Sequence, residues 1–229
     1  MSAEFALFFW PAATIAAYLA CRAAYRRRAA WYLSPLLTAP VLLIALAVGL
    51  HASYGDYLAG SHVLMAMVGP LTVAFALPIY DQRAVIRRNW LALSVGVGVG
   101  SLIAIGSGYG LARLLDFAPE LRQSLLPRSV TMPFAMNVSG HVGGIPELTA
   151  VFVMITGIAG AAMGDVLLKL LPLRSAMARG ALFGMGAHGA GVAKAREVGA
   201  EEGSVAGLVM IMAGLANVAL GPLIIHLFA

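Results

Sequence analysis

Apolar residues run through this chain in long blocks parted by short polar or basic stretches. Blocks near residues 5–25, 34–50, 62–80, 90–115, 148–171, 178–198 and 204–228 approach or exceed the roughly 20 residues that a membrane-crossing helix needs. With the stretch at 127–146 they make seven or eight hydrophobic segments, three of them interrupted. Gly69-Pro70 and Pro78 break the block at 62–80. Gly180, Gly184, Gly186, Gly189 and Gly191 weaken the block at 178–198, because a glycine inside a helix costs about 1 kcal/mol relative to alanine. In the third, Pro133 and the run Gly143-Gly144-Ile145-Pro146 exclude one ordinary helix. Pro40 threatens a kink in the second block. Small-xxx-small spacings at Gly96/Gly100, Gly106/Gly110 and Gly160/Gly164 let helix backbones approach closely, within the chain or in a homodimer.

Composition turns this pattern into a class. The 229 residues are 61% hydrophobic and 11% charged, with mean hydropathy +0.89. A soluble domain carries about a quarter charged residues, so this is an integral membrane protein in contact with lipid. Twenty-six glycines and few aromatics favour a helical bundle over a barrel. The expectation is an all-α, polytopic transmembrane bundle with discontinuous or re-entrant helices, forming one domain over residues 1–229.

Charge adds sidedness. The net charge of +5 reads as the positive-inside bias of an inner (plasma) membrane protein, not as a nucleic-acid surface. Arg26–Arg28, Arg83, Arg87, Arg88, Lys169, Arg174 and Arg179 mark the cytoplasmic side. The loop at 51–57 has no Lys or Arg and belongs outside. The first segment precedes its basic cluster, opposite to a cleavable signal, and so reads as a retained helix. If the block at 90–115 exits outside and that at 148–171 runs inward, the stretch 127–146 starts and finishes outside, as a re-entrant hairpin. An extra crossing elsewhere would change this.

Enzymatic and metal chemistry find no support. Cys21 is the single cysteine, and the five histidines lack ligand spacing. Gly96-Val97-Gly98-Val99-Gly100 has no strand–turn–helix context of a nucleotide site. No catalytic constellation and no cofactor motif is present, so the chain is not read as an enzyme.

Polar groups beside broken backbone at membrane depth are tolerated where protein buries them or a wet cavity takes them. Half-helix N-termini there attract anions. Ser129, Thr131, Asn137 and Ser139 around Pro133, with Gly143 and Gly144, therefore form a candidate pocket for a small organic anion. The bland alternative is that these hydroxyls satisfy freed backbone. His188, beside Gly189, titrates near neutrality and is the first choice for proton coupling, against a packed histidine. Arg179 offers a carboxylate fork, or snorkels at a helix end. Arg128 either meets an incoming anion or anchors the interface. Glu147 reads as a first-turn acid with a second role in proton coupling, and His141 as interfacial or functional. Asp165 should pair with Lys169 at i+4, Asn217 should bond a neighbouring helix, and Glu197, Glu201 and Glu202 should face water.

Three stretches resemble the LrgB (CidB-like) membrane protein family across nearly the whole chain. They are Gly69-Pro70-Leu71-Thr72-Val73 through Tyr80; Leu126-Pro127-Arg128-Ser129-Val130-Thr131 through Gly143-Gly144-Ile145-Pro146-Glu147-Leu148-Thr149-Ala150; and Ala178-Arg179-Gly180 through His188-Gly189-Ala190-Gly191 to Glu202-Gly203. The resemblance implies a fold like that of cation/proton antiporters, with inverted repeats. It implies either transport of a small carboxylate of the glycolate, glycerate, lactate or pyruvate class, or antiholin-like control of murein hydrolases and lysis with a small LrgA/CidA-type partner. Ala187, Val192 and Lys194 depart from the family pattern, which bears on substrate more than on fold.

Overall fold

The computed structural model describes residues 3–28, 30–74 and 76–220. Gly221, Pro222 and the rest of the last predicted block lie outside the described residues. The chain packs as two compact units, Met1–Ala74 and Phe75–Ala229.

The first unit contains α1 (Ala3–Arg27), α2 (Pro35–Gly49), α3 (Tyr54–Gly60), α4 (His62–Ala66) and α5 (Val68–Ala74). Pro40 sits inside α2 without ending it. Ser53 caps α3 reciprocally with Asp56: the Asp56 amide donates to Ser53 Oγ at 3.1 Å and the Ser53 amide to Asp56 Oδ2 at 2.9 Å. Trp10 is fully buried against Tyr57, edge to face at 5.2 Å. Gly60 admits this packing, since any side chain there would strike Trp10 and Ala6.

The second unit contains α6 (Ala76–Asp81), α7 (Arg83–Leu114), α8 (Pro119–Leu125), α9 (Met132–Val142), α10 (Pro146–Leu170), α11 (Ala176–Val198) and α12 (Ala200–Ala219). Among the described residues, Phe5–Arg27, α7, α10 and α12 are long and apolar enough to cross a membrane. The pair α2 and α3, bent by 115°, adds a fifth if it serves as one span. The remaining apolar segments are built of shorter pieces, as the interruptions predicted. The block at 62–80 becomes three helices, none of spanning length. Large apolar side chains such as Phe8, Ile44, Leu102 and Leu170 stand exposed, as lipid-facing surfaces require. The protein is thus a helical membrane bundle with interrupted helices.

Several local expectations are corrected. Pro133 does not break a helix: it occupies the first turn of α9, where its missing N–H costs nothing. Pro146 likewise opens α10. Asp165 pairs with Lys194 of α11 at 3.0 Å instead of with Lys169, because α11 brings its lysine alongside. Glu202 is 6% exposed, not aqueous, because Arg179 meets it. The spacing Gly160/Gly164 serves intrachain packing, against Gly186 and Phe183 of α11. Gly96, Gly106 and Gly110 face no close neighbour among the described residues.

The decisive feature is in α11. His188 adopts φ 43° and ψ −123°, and the chain reverses there. In a straight helix residues 183 and 191 would stand about 12 Å apart. Here Gly191 abuts the Phe183 carbonyl, and Ala195 packs with Phe183 and Ala206. Residues 176–187 and 189–198 are therefore the two limbs of a hairpin with His188 at its tip.

Candidate functional site

Another hairpin, the first in chain order, lies at 119–142. Residues 143–149 return to its starting end. Gly143, in the left-handed conformation at φ 83°, ends α9 beside Gln123, and Gly144 packs on the Ser124 backbone. The Ile145 amide donates to Ser124 Oγ at 2.8 Å. The Thr149 hydroxyl donates to Ser139 Oγ at 2.6 Å and faces the Ser124 carbonyl at 2.9 Å. Leu126, Val138 and Val142 fill the stem with Ile105 of α7.

Helix α10 works as a ruler for both hairpins. The open end of the first meets α10 at Ile145–Thr149, and residues flanking its tip, Val130, Phe134 and Ala135, pack on Val153. One turn on, Gly157 faces Ala187 and His188, with Nδ1 3.8 Å from where a Cβ would sit. Gly164 then meets Phe183, and Asp165 meets Lys194 near the open end of the second hairpin. The hairpins thus enter from opposite ends of α10 and approach tip to tip at its middle.

Three polar groups gather there. Arg128 is half-buried, donates to Ser129 Oγ at 3.4 Å and lies against the bare Cα of Gly108 on α7. Thr131 precedes α9 and is 8% exposed, yet its hydroxyl has no partner among the described residues and does not cap the helix. His188 is 3% exposed with Nε2 equally unpartnered. Buried hydroxyls and imidazole nitrogens are nearly always hydrogen-bonded, so two unpartnered atoms flanking this junction, like Trp10 Nε1 and Ser61 Oγ in the first unit, are exceptions, and these two make the junction the candidate site. The N-terminal end of α9 adds partial positive charge.

The other predicted residues are distributed elsewhere. Ser129 and Pro133 flank the tip. Gly189 adjoins His188 and is exposed. Ser139, Gly143 and Gly144 belong to the closed end of the first hairpin, about 12 Å or more from Thr131 along the helix. Asn137 and His141 lie on the exposed face of α9, the His141 ring nitrogen 2.7 Å from the Asn137 carbonyl. Glu147 is exposed in the first turn of α10, some 15 Å from Gly157 by helical rise. Arg179 Nε donates to Glu202 Oε1 at 3.0 Å, nine residues before His188. Asn217 bonds Ser101 of α7 at 2.9 Å, the interhelical role its position suggested.

Arg128 stands at this candidate site, although its sequence position left it open between an entry charge and an interfacial anchor. Its signal was its place before the half-helix start, which an interfacial anchor shares. Ser124 and Thr149, which hold the hairpin shut, gave no signal beyond being hydroxyls.

No solved structure matches the chain at a significant level. Residues 14–227 match the LrgB-like family. The uncharacterized protein YwbG of Bacillus subtilis is 38% identical over 212 residues, 93% of this chain and 94% of that protein. The uncharacterized protein YxaC of the same organism is 35% identical over 215 residues, 94% of each. With the family pattern covering nearly the full length and relatives aligned end to end, the chain belongs to the LrgB-like family of membrane proteins.

Proposed function

We propose that this protein is a multi-pass inner-membrane secondary transporter of small organic anions, of the glycolate, glycerate, lactate or pyruvate class, coupled to protons. The observation that carries the reading is the tip-to-tip meeting of two opposed hairpins with Arg128, Thr131 and His188 at the junction. Discontinuous helices at mid-depth are where transporters place their solute sites. In this reading the Arg128 guanidinium binds the carboxylate through paired N–H groups. The Thr131 hydroxyl and the α9 terminus orient it. His188 Nε2, buried and unpartnered at the junction, takes or gives the proton that accompanies it. An ionisable residue inside a membrane is a functional candidate by default, because its burial is costly.

The test is counterflow of labelled glycolate and pyruvate in reconstituted vesicles. Saturable exchange, lost in Arg128→Gln and His188→Ala proteins that still fold, supports the reading. Absence of carboxylate flux, with binding to an LrgA/CidA-type membrane protein intact, would replace it with the regulatory role. A pH gradient should drive accumulation; indifference to that gradient removes proton coupling alone.

A further inference from the structure

A cavity of about 310 Å³ lies beside the second hairpin, bounded by Gln82 at the start of α7, Val192 and Arg196 on the return limb, and Ser204, Gly207 and Ile211 on α12. We propose that it is a wet anion vestibule, open at the basic side of the bundle and leading toward His188, with Arg196 as its recruiting cation. As the route by which an anion reaches the tips, the vestibule takes its purpose from the transport reading. Its existence rests on the cavity.

Position argues first. From Ser204 to Ile211 the wall follows α12 for about 10 Å, and Val192 stands one turn, about 6 Å, from His188. The cavity therefore runs from the open end of the hairpin nearly to its tip. Its volume is that of about ten waters.

The lining is graded. The outer end holds Arg196, Gln82 and Ser204, and Gln82 Nε2 donates to the Ser204 carbonyl at 3.2 Å. The inner end is Val192, Met210 and Ile211. Such a cleft, with one sign of charge at its mouth and low-dielectric walls, concentrates ions of the opposite sign.

Neighbouring cations are neutralised: Arg179 by Glu202, and Lys194 by Asp165 and Glu197. The ion pairs of the described residues leave Arg196 out. Its stem packs on Gly203, which holds the side chain at the mouth. Glu201 is exposed and does not line the cavity.

Cys21 is the single cysteine, so a Cys21→Ser background permits thiol mapping. A Cβ added at Gly207 would meet no atom within 4 Å, so Gly207→Cys should fit. Membrane vesicles of both orientations would be treated with a sulfonate-bearing and a trimethylammonium-bearing methanethiosulfonate. Gly207→Cys should react only from the basic side. The anionic reagent should react faster, normalised to a free thiol, by at least several-fold. Arg196→Gln should remove that preference, and Arg196→Lys should keep it. No reaction from either side, or a preference unchanged by Arg196→Gln, would overturn the vestibule. Because this reads accessibility and not flux, a vestibule that behaves as expected in a protein without carboxylate exchange would indict the transport reading alone.

Discussion

The hairpin at 119–142 closes its open end with neutral hydroxyls; the one at 176–198 is tied at its open end to α12 and α10 by ion pairs. In the first, Ser124, Ser139 and Thr149 are fully buried and bond to one another and to backbone. In the second, Lys194–Asp165 is partly wet on both sides, at 27% and 44% exposure, whereas Arg179 at 31% meets a Glu202 carboxylate that is buried at 8%. Breaking the hydroxyl cluster strands buried polar atoms, whereas the ion pairs can exchange partners with water and salt. The tips differ as well. The first is an irregular segment presenting a cation and a hydroxyl, and the second is one reversed residue presenting an imidazole.

The largest expected effect falls on the reversed residue. A non-glycine at φ 43°, ψ −123° carries strain of about 1–3 kcal/mol. His188→Gly should therefore raise the thermal midpoint in detergent while abolishing exchange, and His188→Ala should abolish exchange without that gain. Retained exchange in His188→Gly would remove the imidazole from the mechanism. A glycine variant no more stable than wild type would remove the strain.

Next come the two arginines. If Arg128 binds the carboxylate, Arg128→Gln should raise KM by roughly ten- to a hundred-fold, the value of a charge-assisted bond. Arg179→Gln should leave KM unchanged in the folded protein and lower stability instead, since it strips Glu202 of its partner. Equal KM effects would dissolve the contrast between tip and base.

Much of this architecture was legible in the sequence. The long apolar blocks became α1, α7, α10 and α12 because length and hydropathy suffice to specify a spanning helix. Charge parity asked 127–146 to begin and end on one side, and the junction of Ser124 with Ile145 and Thr149 has that form. The reversal at His188 was not legible. Five glycines announced a weak segment, but three of them, Gly180, Gly184 and Gly191, answer to tight neighbours, and the turn fell on a histidine. Nor could sequence spacing find Lys194 for Asp165, because the hairpin alone brings them together. Ser139 looked like a pocket hydroxyl, and only its depth beside Thr149 shows what it satisfies.

The closed ends can be separated by salt. Thr149→Val leaves Ser139 Oγ and the Ser124 carbonyl short of a donor and should cost about 1–3 kcal/mol at any ionic strength. Asp165→Asn should destabilise at low salt and converge on wild type as salt rises, because the exposed Lys194–Asp165 pair is itself screened. Thermal midpoints across a salt series test both. A salt-independent loss in Asp165→Asn would mean that the pair acts by packing rather than charge.

Two glycines of α11 give the last contrast, which ends on the smallest effect. A methyl group on Gly184 would strike the backbone at Ala206 of α12, and neither helix can yield without moving the other. Gly184→Ala should cost about 1–3 kcal/mol. Gly189 follows the reversal and has open space where its Cβ would be. It begins the return limb, so alanine there should change stability by less than about 1 kcal/mol, toward gain if helix propensity governs. Should Gly189→Ala instead abolish exchange in a stable protein, the backbone beside His188 would have a guest close enough to exclude a methyl group. That result would move the binding site from the first hairpin's cation toward the second hairpin's turn.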